Sequence, residues 1–368
     1  MNKETSIYLD LVRFLAAMVV FLSHFSLHRL SDGFLWQFGP YGHQAVTVFF
    51  VLSGFVIAYA TDTRENTASA FCISRMARMY SVALPAVILT VLLDEIGSRL
   101  RPDQYSAAWG YVQDLSFERF FTALSFTNEL WTLSVRQGSN AAYWSMGYEV
   151  PYYVIFGLAL FTPKRWRVLA VGLALLAVGP SIVVALPIWL AGVAAYRYSQ
   201  RSRISPAVGM LMFAGSLLAW VAYEMIATRW GRPMIEGNAY FKRHEVVQDY
   251  IVAACFVVNL LGFHAASATL GAGLLKVSAL VRWLAGATFT LYLCHLPIAQ
   301  FLLACMPWPA SDMRSRLLVF FGTLAAVFVL AEFTEKRKTG WRKGIEALWL
   351  RLAPARPPSL NRQPHSHD

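Results

Sequence analysis

Residues 7–27, IYLDLVRFLAAMVVFLSHFSL, form an apolar run long enough to cross a bilayer as one α-helix. Three ionisable residues lie within it, namely Asp10, Arg13 and His24. About three helical turns separate Arg13 from His24, which puts both side chains on one face, roughly 16 Å apart along the axis. Asp10 precedes Arg13 by about one turn and lies near the same face. Because ionisable groups are costly in lipid, we expect this face to line the bundle interior or a water-filled cavity.

The same segment also has a purely structural interpretation, in which Asp10 and Arg13 pair near the membrane interface and His24 caps the opposite end. A cleaved signal peptide fits less well, because Arg13 interrupts the apolar stretch and no small-residue cleavage site follows it. We therefore expect this segment to remain as the first membrane span.

The composition is that of an integral membrane protein. The 368 residues are 57% hydrophobic and 14% charged, with a mean hydropathy of +0.47, whereas soluble domains are about a quarter charged. The aromatic residues, 12 Trp, 16 Tyr and 25 Phe, suit a bundle anchored at both interfaces. The net charge of +11 would also suit nucleic-acid binding. Uneven placement of Lys and Arg across a membrane explains this charge better, so we expect no nucleic-acid partner.

The four cysteines, Cys72, Cys255, Cys294 and Cys305, include no CxxC pair and follow no regular spacing. They predict neither a disulfide framework nor a zinc site, and we expect no metal. Cys294 precedes His295, but adjacent helical residues point about 100° apart, so a Cys-His nucleophile is not favoured. His295 is the better candidate, either as a site residue or as a residue that links helices.

Apolar stretches of about 20 residues predict an all-α integral membrane protein with about ten transmembrane helices in one bundle and a water-accessible central cavity. The predicted spans are residues 7–28, 42–60, 79–97, 143–162, 168–179, 181–197, 206–226, 246–264, 280–303 and 314–334.

The fifth and sixth spans come from one charge-free stretch, residues 168–196, which Pro180 and Pro187 interrupt. This stretch fits one long helix or two short ones. Two short helices keep the basic clusters at residues 164–167 and 197–203 on one side of the membrane, so we predict two helices.

The placement of Lys and Arg puts both termini in the cytoplasm, and residues 1–335 form the predicted transmembrane domain. Residues 336–353 predict an amphipathic helix lying on the anionic inner leaflet, and residues 354–368 predict a disordered, proline-rich tail. Two outer loops, residues 98–142 and 227–245, mix aromatic residues with charges of both signs. Such loops suit either a polar ligand site or a short interfacial helix that covers the bundle.

Arg75 and Arg78 lie three residues apart where the second inner loop enters the third span. Both guanidinium groups therefore share one helical face, as bidentate contacts to phosphate would require. Ordinary anchoring of a span by inner arginines explains the pair equally well.

Glu149 is a lone carboxylate at the start of the fourth span, between two tyrosine clusters. A buried carboxylate needs a partner, so Glu149 is a candidate general acid or base, or the counter-ion of an intramembrane arginine. Ser53 is a further candidate, but it lacks the strained turn of a hydrolase nucleophile. With Gly54 it suits close packing of helices.

Six segments, in this order, resemble the membrane acyltransferase-3 family over nearly all of the chain. They are LDLVRFLAAMVVFLSH at 9–24, VFFVLSGFVIA at 48–58, RMAR at 75–78, YWSMGYEVPYY at 143–153, TLYLCHLPI at 290–298 and EFTEK at 332–336. The resemblance implies a ten-helix bundle that moves an acyl group, commonly acetyl, from cytoplasmic acyl-coenzyme A to a carbohydrate on the far side.

The resemblance also implies roles for single residues. Arg13 and His24 match the paired Arg and His of the family's first helix, with His24 as the expected catalytic base. Arg75 and Arg78 match its RxxR element and would hold the phosphates of acyl-coenzyme A, the expected donor substrate, at the inner face.

Other matches are less specific. Glu149 matches the acidic residue of the fourth span, and either Glu149 or Asp10 would orient the His24 imidazole or offset the charge of Arg13. Residues that match motifs without a settled role are Tyr292, His295 and Glu335.

Two departures from the family pattern stand out. The segment at residues 143–153 is a looser version of the usual WSLxxE motif, and Lys336 stands where a proline often follows the final glutamate. Some relatives carry an extracytoplasmic SGNH-type domain. Because few residues follow the last span, we expect any such partner to be a separate protein.

These observations predict an integral membrane O-acyltransferase of the bacterial cytoplasmic membrane. We expect acetyl-coenzyme A as the donor, a surface carbohydrate or its lipid-linked precursor as the acceptor, and membrane lipids as neighbours. The alternative is a transporter or flippase for a glycan, a lipid or an organic anion, in which Arg13, His24 and Glu149 form a substrate or proton path.

Overall fold

The computed structural model of the protein describes residues 1–106, 111 and 117–352. Apart from two isolated bridges and the connecting turns, the described residues are helical, so the predicted all-α class is confirmed. Their sixteen α-helices are α1 (Lys3–Phe25), α2 (His28–Ser31), α3 (Gly42–Thr63), α4 (Ala68–Leu100), α5 (Phe117–Ser125), α6 (Met146–Phe161), α7 (Lys164–Val178), α8 (Pro180–Arg201), α9 (Pro206–Trp230), α10 (Val246–Ala265), α11 (Ser267–Leu270), α12 (Ala272–Lys276), α13 (Ser278–Ala285), α14 (Thr288–Ala304), α15 (Met313–Phe333) and α16 (Lys338–Leu352).

Seven stretches of helix in the described chain are long and apolar enough to cross a membrane, or up to eight if the bent pair α13–α14 counts as one span. Each of the ten predicted spans overlaps a helix, so the positions of the apolar segments were predicted well. However, α6 and α7 have only 16 and 15 residues, fewer than the roughly 20 that a bilayer core needs. The total of ten therefore stays a prediction.

The predicted division of residues 168–196 into two helices is confirmed, because α7 ends at Val178 and α8 begins at Pro180, with Gly179 between them. Gly179 has a φ of +87°, and a Cβ there would lie 2.8 Å from the Cα of Trp131. Pro180 then starts α8 at a position where its missing N–H is harmless. The expected second interruption is wrong, since Pro187 lies inside α8 and does not end it.

The first helix distinguishes the two ends of the bundle. At the proximal end, where α1 begins, Asn2 Nδ2 donates to Ser267 Oγ at 2.7 Å. At the distal end, beyond the end of α1, Arg316 Nε donates to the carbonyl oxygen of Ser31 at 3.0 Å. The described parts of the predicted outer loops, residues 98–106, 111, 117–142 and 227–245, lie at the distal end, where α4, α7 and α9 finish.

Helix α14 begins inside the bundle, after a bend of 49° from α13. Its first turn is capped by Glu335, whose Oε2 accepts the backbone N–H of Phe289 at 2.9 Å and that of Thr290 at 3.2 Å. A carboxylate at this position satisfies free amide groups and offsets the helix dipole. Glu335, which matched a motif without a settled role, therefore positions α14.

The predicted amphipathic helix at residues 336–353 corresponds to α16, which packs against α4. Leu348 and Trp349 on α16 are exposed, at 55% and 41%. Its location on a membrane surface stays a prediction. The predicted disordered tail, residues 354–368, lies outside the described residues.

Helices α3 and α8 cross at very close range through two glycines. A Cβ on Gly54 would lie 2.0 Å from the carbonyl oxygen of Trp189, and a Cβ on Gly192 would lie 1.9 Å from that of Val51. Such approaches leave no room for a side chain. The expectation that Gly54 allows close packing of helices is confirmed.

We predict that Gly54→Ala lowers the free energy of unfolding of the detergent-purified protein by about 1–3 kcal/mol, because the added methyl group forces the backbones of α3 and α8 apart. Gly215→Ala in α9 is the matched control, since a Cβ there meets nothing within 4 Å. The control should be neutral, or more stable by up to about 1 kcal/mol from its better helix propensity. Unfolding midpoints are measured by heating the protein and recording the remaining folded fraction by fluorescence-detected size-exclusion chromatography. Equal midpoints for the two variants would contradict the prediction.

Candidate functional site

The imidazole of His24 is bonded to that of His295 on α14. Nδ1 of His24 lies 2.9 Å from Nε2 of His295, and the two rings stack at 18° with their centroids 5.1 Å apart. Nδ1 of His295 lies 2.8 Å from the carbonyl oxygen of Leu291, one turn earlier in α14. His295 is 1% exposed, whereas His24 is partly exposed. His295 is therefore a residue that links helices.

The order of these contacts determines which nitrogen of His24 carries a proton. A carbonyl oxygen only accepts hydrogen bonds, so Nδ1 of His295 donates to Leu291. A buried imidazole that bonds no carboxylate in the described chain is neutral, so its Nε2 accepts and Nδ1 of His24 donates. Nε2 of His24 is left with a free lone pair, which is the tautomer that a general base requires.

Arg13 lines a small cavity in the middle of the bundle, which we call the inner cavity. Its volume is about 50 Å³, enough for only a few water molecules. The polar residues that line it are Arg13, Ser53, Arg75, Arg78, Ser145, Glu149, Tyr153, Thr288 and Tyr292. The structure thus brings together six of the candidates chosen from the sequence.

His24 does not line the inner cavity. Arg13 and His24 both face α14, as their spacing on α1 predicts, but His24 lies farther toward the distal end, against His295. The expected single water-filled chamber shared by both residues is therefore not confirmed.

Carboxylates near the inner cavity pair with groups other than His24. Asp10 accepts a hydrogen bond from Nη1 of Arg13 at 3.2 Å. Glu149 accepts hydrogen bonds from Ser53 Oγ at 2.8 Å and from the hydroxyl of Tyr153. The suggestion that Asp10 or Glu149 orients the His24 imidazole is not supported, whereas Asp10 does offset the charge of Arg13.

The two arginines of the RxxR element differ in their surroundings, although both line the inner cavity as their spacing predicts. Nη2 of Arg75 is 2.6 Å from both carboxylate oxygens of Glu65, and its guanidinium lies over the ring of Tyr153. The side chain of Arg78 makes no hydrogen bond or ion pair to another side chain of the described residues. The negative charges of Glu149 and Glu335 are close enough to stabilise its positive charge. Arg78 is therefore a cation whose N–H groups can donate to a ligand.

Two further polar groups complete the inner cavity. The hydroxyl of Tyr292 donates to Ser145 Oγ at 2.7 Å, and Nε1 of Trp189 donates to Ser53 Oγ at 3.2 Å. Ser53 is thus part of a hydrogen-bond network around Glu149. The sequence had not singled out Ser145 or Glu65, because nothing near them in the chain indicates which helix they meet.

A second and larger pocket, which we call the outer pocket, lies at the distal end between the two predicted outer loops. It has a volume of about 670 Å³. The lining includes His43, Glu129, Asn140, Trp144, Lys242 and Arg243. Nζ of Lys242 donates to Glu129 Oε2 at 2.9 Å, which joins the two loops. Burial raises the pKa of the Glu129 carboxyl, and the hydrogen bond and charge of Lys242 offset part of that rise.

Comparison with known proteins gives one family and two relatives. The model of a family described as "Acyltransferase domain" matches residues 6–352. The O-acetyl transferase of Shigella phage Sf6 is 26% identical over 194 residues, which cover 49% of this chain and 56% of that protein. The exopolysaccharide production protein ExoZ of Rhizobium meliloti (strain 1021) is 30% identical over 198 residues, which cover 48% of this chain and 57% of that protein. The chain thus spans just over half the length of these relatives, and no solved structure matches it.

We predict that Glu149→Ala lowers the free energy of unfolding by about 2–4 kcal/mol. The hydroxyl groups of Ser53 and Tyr153 lose a charged acceptor, and Arg13 and Arg78 lose a nearby negative charge. Glu149→Gln should lose less, since an amide oxygen still accepts both hydrogen bonds. Glu236→Ala, in an exposed position, serves as the control. Thermal unfolding midpoints that are equal for all three variants would show that the network around Glu149 does not stabilise the bundle.

Proposed function

The chain belongs to the acyltransferase family whose model matches residues 6–352, and from this membership we propose that it is an O-acetyltransferase. The donor would be cytoplasmic acetyl-coenzyme A, and the acceptor a hydroxyl of a surface carbohydrate or of its lipid-linked precursor. The names of the two relatives, an O-acetyl transferase and an exopolysaccharide production protein, support this class of acceptor. The observation that carries the proposal is the family match over nearly the whole described chain.

The proposed orientation places the proximal end on the cytoplasmic side of a bacterial inner membrane. The basic clusters at residues 164–167 and 197–203 lie at this end, at the start of α7 and the end of α8. Inner basic residues are the usual signature of a cytoplasmic face. The donor would then enter from the proximal end and the acceptor from the distal end.

The phosphates of the donor would bind near Arg78. This guanidinium has hydrogen-bond donors that no described side chain uses, whereas Arg75 is held by Glu65. Coenzyme A carries its thioester on a long flexible arm. Such an arm suits a phosphate site at the inner cavity, which Arg13 also lines, and a base that lies roughly 16 Å from Arg13 along α1. The inner cavity must widen to admit the donor, since its volume of about 50 Å³ has room for only a few water molecules.

His24 would act as the general base. Its Nε2 would take the proton of the acceptor hydroxyl while that oxygen attacks the carbonyl carbon of the thioester. The carbon–sulfur bond then breaks, the proton passes from His24 to the departing thiolate, and the products are the ester and coenzyme A. His295 is a positioning residue in this scheme, because it accepts from Nδ1 and holds the lone pair of Nε2 in place. Direct transfer and a covalent acyl-enzyme intermediate both fit this geometry.

Radiolabelled acetyl-coenzyme A, supplied to the purified protein in lipid nanodiscs, tests the proposed activity. We expect release of coenzyme A that disappears in His24→Ala. Intact coenzyme A, together with directional movement of a glycan or lipid in proteoliposomes, would instead favour a transporter.

We predict that His24→Ala lowers kcat by about a hundred- to ten-thousandfold, the usual contribution of a positioned base. His295→Leu should lower kcat by a smaller factor and leave the KM for acetyl-coenzyme A unchanged, because it removes only the partner of Nδ1. His295→Gln should recover part of the lost rate, since its amide oxygen can accept the same proton. If Leu and Gln at this position behave alike, or if KM alone changes, His295 does not position the base.

We predict that Arg78→Gln raises the KM for acetyl-coenzyme A by about tenfold or more, the effect of losing one charged hydrogen bond to phosphate. The effect should vanish with S-acetyl pantetheine, which lacks the nucleotide phosphates. Arg203→Gln, an exposed substitution at the same end, controls for general loss of basic charge. A similar loss with both donors would contradict a phosphate contact.

A further inference from the structure

The outer pocket has the size of a ligand site and one rigid aromatic wall. Its volume of about 670 Å³ falls within the usual range for small-molecule pockets, roughly 300–1,000 Å³. The indole of Trp144 stacks on the ring of His43 at 8°, with centroids 5.8 Å apart, and meets Tyr148 edge-on at 5.3 Å. The guanidinium of Arg243 lies 5.2 Å from the centre of the same indole. These contacts hold Trp144 in one orientation before any ligand arrives.

Two buried polar side chains of this pocket have unused hydrogen-bonding capacity. Arg243, 4% exposed, bonds Asp249 through Nη2, but its Nε and Nη1 have no hydrogen-bond partner in the structure. Asn140, 1% exposed, donates through Nδ2 to the carbonyl oxygen of Leu293 at 2.7 Å, but its Oδ1 has no hydrogen-bond partner. Buried polar groups are rarely left unpaired, so these atoms are candidates to bond a ligand that enters the pocket.

The chemistry of the pocket favours a hydroxyl-rich ligand over a phosphate. Three basic side chains line the pocket: Lys242 is paired with Glu129, Arg243 is paired with Asp249, and the charge of Arg136 also acts on Glu129, where it opposes the rise in the pKa of that carboxyl. The unused atoms comprise donors on Arg243 and an acceptor on Asn140, and a sugar hydroxyl can satisfy either kind. The part of the Trp144 indole that remains exposed suits contact with the apolar C–H face of a sugar ring.

The outer pocket is connected to the inner cavity through the segment from Asn140 to Glu149. Trp144 and Tyr148 of this segment line the outer pocket, whereas Ser145 and Glu149 line the inner cavity. Asn140 bonds α14 at Leu293, two residues before the histidine that holds His24. A ligand in the outer pocket is therefore separated from the inner cavity by one short stretch of chain.

We propose that the outer pocket binds the acceptor saccharide, with a sugar ring against the exposed part of Trp144 and its hydroxyls bonded by Arg243 and Asn140. This inference rests on the proposed function, because it assigns the acceptor of that reaction.

The test compares donor and acceptor dependence in the full-length protein in nanodiscs. The acceptor probe is the de-O-acetylated surface polysaccharide of a strain that lacks the native gene. In Trp144→Ala, the half-saturating polysaccharide concentration should rise by up to about tenfold, which is the usual strength of one aromatic contact. The KM for acetyl-coenzyme A should stay within about twofold. Trp144→Phe should lie between Trp144→Ala and the wild type.

Trp230→Ala is the matched control, since Trp230 lies at the same end of the bundle but is 78% exposed and does not line the pocket. An unchanged half-saturating concentration in Trp144→Ala, or a change in the KM for acetyl-coenzyme A instead, overturns the assignment.

Binding of the same polysaccharide, measured by surface plasmon resonance on the nanodiscs, separates this inference from the proposed function. Binding that weakens in Trp144→Ala but is followed by no acetyl transfer in the wild type would reject the transferase and retain the saccharide site. Absence of binding to the wild type, or binding that Trp144→Ala leaves unchanged, overturns the saccharide site itself.

Discussion

The hydrogen bond between His24 and His295 is the contact on which the central arrangement of the bundle depends. It joins α1 to α14 at a level where both helices are otherwise apolar, and it fixes which nitrogen of each ring carries a proton. An unpaired imidazole in such surroundings would be costly. The same two helices bring Arg13 and Tyr292 to the inner cavity, so one helix pair contributes to both parts of the proposed site.

A cap interaction fixes the start of α14, the second helix of this pair. Helix α14 begins within the bundle, and Glu335 occupies the position where its first amide groups would otherwise lack partners. The negative charge of Glu335 also stabilises the positive charges of Arg78 and Arg13. The end of α15 thus supports α14 and contributes negative charge near the cations of the inner cavity.

Much of the fold follows from local sequence signals. Apolar run length located the helices, and spacing placed Arg75 and Arg78 on one face that does line the inner cavity. Partners distant in sequence could not be predicted. The pairing of Arg75 with Glu65, of His24 with His295, and of Glu335 with the start of α14 depends on how helices pack. The sequence alone therefore suggested carboxylates as partners of His24, where the structure has a second imidazole.

The close contact of α3 with α8 has a consequence for how substrates reach the interior. At Gly54 and Gly192 the two backbones touch without intervening side chains, so these helices cannot slide or separate without losing contact along their length. Ser53, the neighbour of Gly54, is anchored to the same unit through Trp189. Any opening of the inner cavity that admits a bulky molecule is therefore expected away from this contact, and α14, which also lines the cavity, is bent by 49° from α13.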